Sequence, residues 1–109
     1  MIVATTDTLP GREVAEVLGL VKGSTVRAKH IGSDIVAGLR NLVGGEVKEY
    51  AQLLTGAREQ AIDRMIADAR GRGADAVLGM RLETSTIQQA ASEVLAYGTA
   101  VRLAPGAGA

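Results

Sequence analysis

The sequence predicts an α+β fold, one long helix and one short helix packed on a β-sheet, and three observations predict it. A stretch from about Tyr50 to Arg72 places Tyr50, Leu54, Ala57, Ala61 and Met65 on one helical stripe, with charges filling the other side. Gly73-Ala74-Asp75-Ala76-Val77 then delivers that helix into a strand, and a return strand ends in Tyr97-Gly98-Thr99-Ala100-Val101. Between Glu13 and Lys29 apolar side chains occupy both parities, the pattern of a strand covered on both faces.

Taken in order, Met1 to Thr5 is β-rich and reads as a short strand, closed by Asp7-Thr8-Leu9-Pro10-Gly11, where Pro followed by Gly signals a turn. In the strand from Glu13 to Lys29, Gly19 and Gly23 are places for a bend or bulge. A single helical layer covers one side of a sheet in a chain this small, so the second side is expected to meet another subunit. Ser33-Asp34 caps a short helix with Ile35, Val36, Leu39, Leu42 and Val43 at helical spacing, stopped by Gly44-Gly45. The long helix is widened by Ala51, Ile62, Ile66 and Ala69, carries Asp68 and Arg72 four apart as an ion pair, and stops at Gly71 and Gly73. Gly56 is discordant inside it, costing about 0.8–1 kcal/mol against Ala.

In the next strand Ala76, Leu78, Met80 and Leu82 share one parity, expected to lie under the helix, against Val77, Gly79, Arg81 and Glu83. The return strand sets Leu95, Tyr97, Thr99, Val101 and Leu103 against Val94, Ala96, Gly98 and Ala100, with Ser85 to Ser92 as a polar connection. Residues 1–103 read as a single domain. The tail, 104–109, has no periodicity and is expected to be disordered.

Composition narrows the function classes. Phe and Trp are absent and only Tyr50 and Tyr97 are aromatic, so the core is light, while fourteen Gly raise the entropy lost on folding. Burial between subunits is the natural offset. Twelve basic and twelve acidic residues leave no net field, which disfavours nucleic-acid and membrane partners. No apolar run approaches the roughly 20 residues of a membrane span and Met1-Ile2-Val3 lacks the basic flank of a signal peptide, so the expected location is cytoplasmic. With no Cys, thiolate nucleophiles, disulfides and sulfur ligands are excluded.

Five phrases, in this order and spacing, resemble the YbjQ-like family, whose members are sometimes labelled heavy-metal-binding proteins. They are Leu18-Gly19-Leu20-Val21-Lys22-Gly23, Asn41-Leu42-Val43-Gly44-Gly45-Glu46, Ala57-Arg58-Glu59-Gln60-Ala61, Gly73-Ala74-Asp75-Ala76-Val77 and Tyr97-Gly98-Thr99-Ala100-Val101. The resemblance spans nearly the whole chain to Leu103. It implies an antiparallel sheet packed on a long helix, a subunit similar to the dodecin-like fold, assembled as a ring-shaped homopentamer. The metal label suits chains with thiols or several histidines, and this chain has only His30.

Chemistry is sparse. His30, with Asp34 four residues on, is the candidate for a hard or borderline metal ion, although one His and one Asp are not a site and symmetry copies in a ring would have to complete it. Candidate ligand-binding residues are Glu46, Arg58 and Thr99. Each has a structural alternative: Glu46 as the helix cap, Arg58 paired with Glu46, Glu49 or a neighbouring subunit, and Thr99 as a strand hydroxyl. Gly44-Gly45-Glu46 lacks any standard phosphate-loop pattern, and Glu46 puts a negative charge where an anion would sit. Asp75 suits turn amides, and Arg81 with Glu83 and Glu93 suits cross-strand charge pairs. No residue is assigned a catalytic role and no cofactor is named. The chain reads as a non-enzymatic homo-oligomer, a pentamer binding a small ligand or metal ion between subunits. The rival readings are an enzyme completed across the interface and a protein-interaction adaptor.

Overall fold

Among the described residues a mixed four-stranded sheet is backed by one helix. The computed structural model describes residues 1–28, 44–88 and 91–106, with the side chains of 28, 44–50 and 88 not described. The elements are β1 (Ile2–Val3), β2 (Val14–Ala28), α1 (Gly44–Gly71), β3 (Ala76–Gln88) and β4 (Ala91–Leu103). The sheet order is β1-β3-β4-β2. β4 runs antiparallel to both long neighbours, but β1 pairs parallel with β3, so the sheet is mixed where an antiparallel one was expected. The short helix expected after Ser33-Asp34 lies outside the described residues.

The helix begins at Gly44, just ahead of the expected start near Glu46 to Tyr50, and ends at Gly71. Its termination is a Schellman arrangement: the Gly73 amide donates to the Arg70 carbonyl (3.0 Å) and the Ala74 amide to the Ala69 carbonyl (3.1 Å). Gly73 sits at φ +76°, a conformation that a Cβ would strain. The expected Asp68–Arg72 ion pair forms at 3.4 Å.

Along α1, Ala57, Ala61, Met65 and Ala69 are wholly buried against Val21, Val77, Val94, Ala96 and Ala100. Most of these side chains are small, so helix and sheet approach closely. Gly23 shows how closely: a Cβ there would overlap the Met65 amide nitrogen and the Ala61 carbonyl oxygen, and would lie 2.6 Å from Arg64 Cβ. The helix also binds the outer edge of β2, where the Lys22 amide donates to Asp68 Oδ2 (3.1 Å) and Arg64 Nη1 donates to the Ser24 carbonyl (2.6 Å). An edge strand with its backbone groups engaged in this way is less available to a stray strand.

Two expectations about β3 change. Gly79 and Met80 together stand opposite Gly98, a bulge that adds one residue and reverses parity. Val77 and Met80 pack with the helix core, whereas Ala76 and Leu78 join Val101 and Leu103 on the opposite face, so the set Ala76, Leu78, Met80 and Leu82 is divided. The amides freed by the bulge are taken up by the chain start, Gly79 donating to the Thr6 carbonyl (2.9 Å) and Met80 to the Ala4 carbonyl (3.0 Å). The polar connection from Ser85 to Ser92 is mostly strand among the described residues: β3 continues to Gln88 and β4 starts at Ala91, and Thr84, Thr86 and Ile87 suit a strand. Ala104 donates to the Glu13 carbonyl (2.8 Å), carrying order one residue beyond 103.

The long hairpin makes the subunit elongated. Its radius of gyration is 17.9 Å, against about 13 Å for a compact domain of this length.

Candidate functional site

The sheet face turned away from α1 holds a cleft of about 290 Å³. Val14, Val17, Leu78 and Val101 make its apolar wall, and Asp7, Thr99 and Gly79 supply its polar rim. The fold places them simply. Val17 is directly opposite Val101, Leu20 is opposite Thr99, and Thr99 is opposite Leu78, so three strands contribute to one floor. Asp7 arrives from the turn that follows the paired chain start, where the Thr6 hydroxyl donates to the Thr8 carbonyl (2.7 Å). Such a cleft can hold a small apolar group with one end able to donate to a carboxylate or hydroxyl. Among the described residues no hydrogen bond joins the Thr99 hydroxyl to a carboxylate.

Of the residues singled out from the sequence, Thr99 lines this cleft. Arg58 does not: it lies exposed on α1, across the sheet from Thr99, so the two do not converge within one subunit. Glu46 falls in the first turn of α1, consistent with a capping position, and its side chain lies outside the described residues. His30 and Asp34 also lie outside them. Asp7, Val14 and Val17 were not singled out. Asp7 read as an ordinary turn residue and the two valines as strand core, and only the folding of the chain start over β3 brings them together.

Two smaller expectations are corrected. Asp75 accepts from the Leu103 amide (2.8 Å), so it ties β3 to the end of β4 instead of capping its own turn. Arg81 donates to the Thr5 and Met80 carbonyls (both 2.9 Å) and forms no ion pair with Glu83 or Glu93 among the described residues, because Ser85, not Arg81, is opposite Glu93.

Against known proteins, residues 1–104 match the model of the YbjQ family, described as "Putative heavy-metal-binding". The chain belongs to the YbjQ family. A UPF0145 protein of Archaeoglobus fulgidus is 58% identical over 103 residues, covering 94% of this chain and 95% of that one. Another UPF0145 protein, from Thermus thermophilus, is 57% identical over 105 residues, covering 96% and 92%. A crystal structure of a protein of unknown function from Pediococcus pentosaceus, assigned to the DUF74 family, superposes with a TM-score of 0.63 at 16% identity, covering 95% of this chain and 98% of that one. At that identity the likeness speaks for the fold.

The metal in the family's description finds no matching donors in this YbjQ chain. Heavy-metal centres take thiolates or several imidazoles. The chain has no Cys and one His, and among the described residues no three His, Cys, Asp or Glu side chains lie together. No helix among the described residues is long and apolar enough to cross a membrane.

Proposed function

We propose that this YbjQ protein is a non-enzymatic homo-oligomer, a ring of five subunits, that holds a small ligand or a hard divalent ion in grooves between subunits. One observation carries the reading. Val17 (66% exposed), Leu20 (58%) and Val26 (58%) stand on the sheet face that the chain's own helix leaves uncovered. Isolated exposed apolar residues are ordinary, but three on one sheet face, with Lys22 and Ser24 between Leu20 and Val26, favour an interface. The elongated shape points the same way, because a narrow subunit buries less of its own surface and gains more from a neighbour. The number five comes from the likeness to the family. Thr99 faces the groove that such packing creates, Glu46 and Arg58 would reach a ligand from the helix of a neighbour, and His30 with Asp34 would meet an ion only where copies converge.

Light scattering coupled to size exclusion at low micromolar protein tests the reading. A mass of five subunits, or of two such rings, is expected. A monomer overturns the assembly and with it every inter-subunit site.

A further inference from the structure

The distal half of β3 is covered on neither face. Arg81 to Ile87 are all exposed, Leu82 at 39% and Ile87 at 58%, while the residues of β4 that stand opposite Arg81 to Thr86 are buried or half-buried. The edge of β3 is open there as well. The chain start pairs with β3 no further than Met80, and among the described residues no strand lies beside Arg81 to Ile87 on that side. The opposite edge of the sheet is guarded where α1 engages the Lys22 amide and the Ser24 carbonyl of β2. Folded proteins block a free edge with Lys, Pro or a covering element, because its row of unpaired backbone groups takes up another strand. Leu82-Glu83-Thr84-Ser85-Thr86-Ile87 holds no Lys and no Pro and suits a strand.

The outward groups can be named. Because the Lys22 amide and the Ser24 carbonyl turn away from β4, Tyr97 and Leu95 opposite them address β3, where they meet Arg81 and Glu83. Backbone direction alternates along a strand, so Leu82, Thr84 and Thr86 turn their N–H and C=O groups out from the edge.

We infer that this edge pairs antiparallel with the same edge of a second copy, across a two-fold axis at Thr84. The register decides the axis. Set on Thr84, it places Leu82 opposite Thr86 of the second copy and Thr84 opposite itself, so that every outward group is used and about six backbone hydrogen bonds form. Glu83 then meets Ser85 of the second copy, and the two threonines make a favourable cross-strand pair. An axis on Glu83 opposes two carboxylates and loses about two of those bonds. An axis on Leu82 runs the second strand into the chain start, where the Ala4 carbonyl already accepts the Met80 amide. An axis on Ser85 calls on Gln88, which lies past the register shift after Thr86.

The inference rests on the homo-oligomeric reading and adds to it. Val17, Leu20 and Val26, which carry that reading, all lie on β2, two strands away from this edge, so a neighbour seated on them leaves the edge free. A two-fold contact cannot close a ring of five. It joins two rings, where the copies of the contact act together and each one can be weak.

Thr84→Lys and Thr84→Glu in the full-length chain test the pairing by light scattering. Position 84 is exposed, and at the axis each variant opposes its own charge. The wild type is expected at the mass of two rings and each variant alone at half of it, with unchanged far-UV circular dichroism. An equal mixture of the two variants is expected to recover the full mass, because opposite charges then meet across the axis. Variants that keep the wild-type mass overturn the pairing, and so does a mixture that stays at half. A wild type of one ring overturns the pairing and leaves the ring reading standing, whereas a wild-type dimer that either variant makes monomeric upholds the pairing and removes the ring. Amide exchange in the wild type needs no variant: Leu82, Thr84 and Thr86 are expected to exchange as slowly as Glu83, and exchange as fast as at an open edge overturns the pairing. A monomeric wild type overturns both.

Discussion

Replacing Gly23 with Ala should push α1 off the sheet, and its cost can be worked from the structure. The added Cβ would overlap the Met65 amide nitrogen and the Ala61 carbonyl oxygen, and would stand 2.6 Å from Arg64 Cβ, where ordinary contact begins at 3.4 Å. Two of these neighbours are helix backbone, so no rotamer change relieves the clash and the whole helix has to retreat by about 1 Å. A gap of that size forfeits a quarter to a half of the dispersion attraction along the seam, where Ala57, Ala61, Met65 and Ala69 are fully buried. Overpacking of this kind costs about 1–3 kcal/mol. The retreat also stretches the bonds from the Lys22 amide to Asp68 and from Arg64 to the Ser24 carbonyl, each worth about 1 kcal/mol. Together these give about 3–5 kcal/mol. Urea denaturation at fixed protomer concentration reads it as a midpoint lowered by about 2–3 M for a slope near 1.5 kcal/mol/M. A loss below about 0.5 kcal/mol at unchanged slope would show that the helix does not sit on Gly23 and would refute the close-seam account.

Three further substitutions probe other parts of the fold. Gly56→Ala, on an exposed helix position with nothing within 4 Å of the new Cβ, should stabilise by about 1 kcal/mol in the same denaturation experiment. Met65→Ala empties the largest fully buried side chain and should cost about 2–5 kcal/mol, seen as a lowered Tm by calorimetry. Asp75→Ala removes the acceptor of the Leu103 amide; a loss of about 1–2 kcal/mol is expected, together with faster hydrogen exchange at the Leu103 amide by NMR, while the backbone amide of residue 75, which still donates to the Val101 carbonyl, stays protected.

The stripe of α1, the stop at Gly73, the two-sided character of β2 and the parity of β4 were all legible in the residues, because each depends on spacing within one element. The parity of β3 was not. Gly79 was its one signal, since an isolated Gly inside a strand marks a bulge, and the bulge forms at its φ of +62° where the chain start pairs with the Gly79 and Met80 amides. The cleft was hidden for the same reason: Asp7, Val17 and Thr99 are far apart in sequence and become neighbours only through strand order. Ser85 to Ser92 misled because its polar side chains hide a hairpin held by backbone pairing, which polarity does not report.

By itself, then, the sequence determined that this chain is α+β, with a small-residue helix seam and more apolar sheet than one helix can cover. Local periodicity and composition are enough for that, since they describe what each segment must bury. Only the tertiary structure decided which way β3 faces, where a cleft opens and which strand edge is left open. Those properties belong to register between strands distant in sequence, and register is set by contacts that no single segment carries.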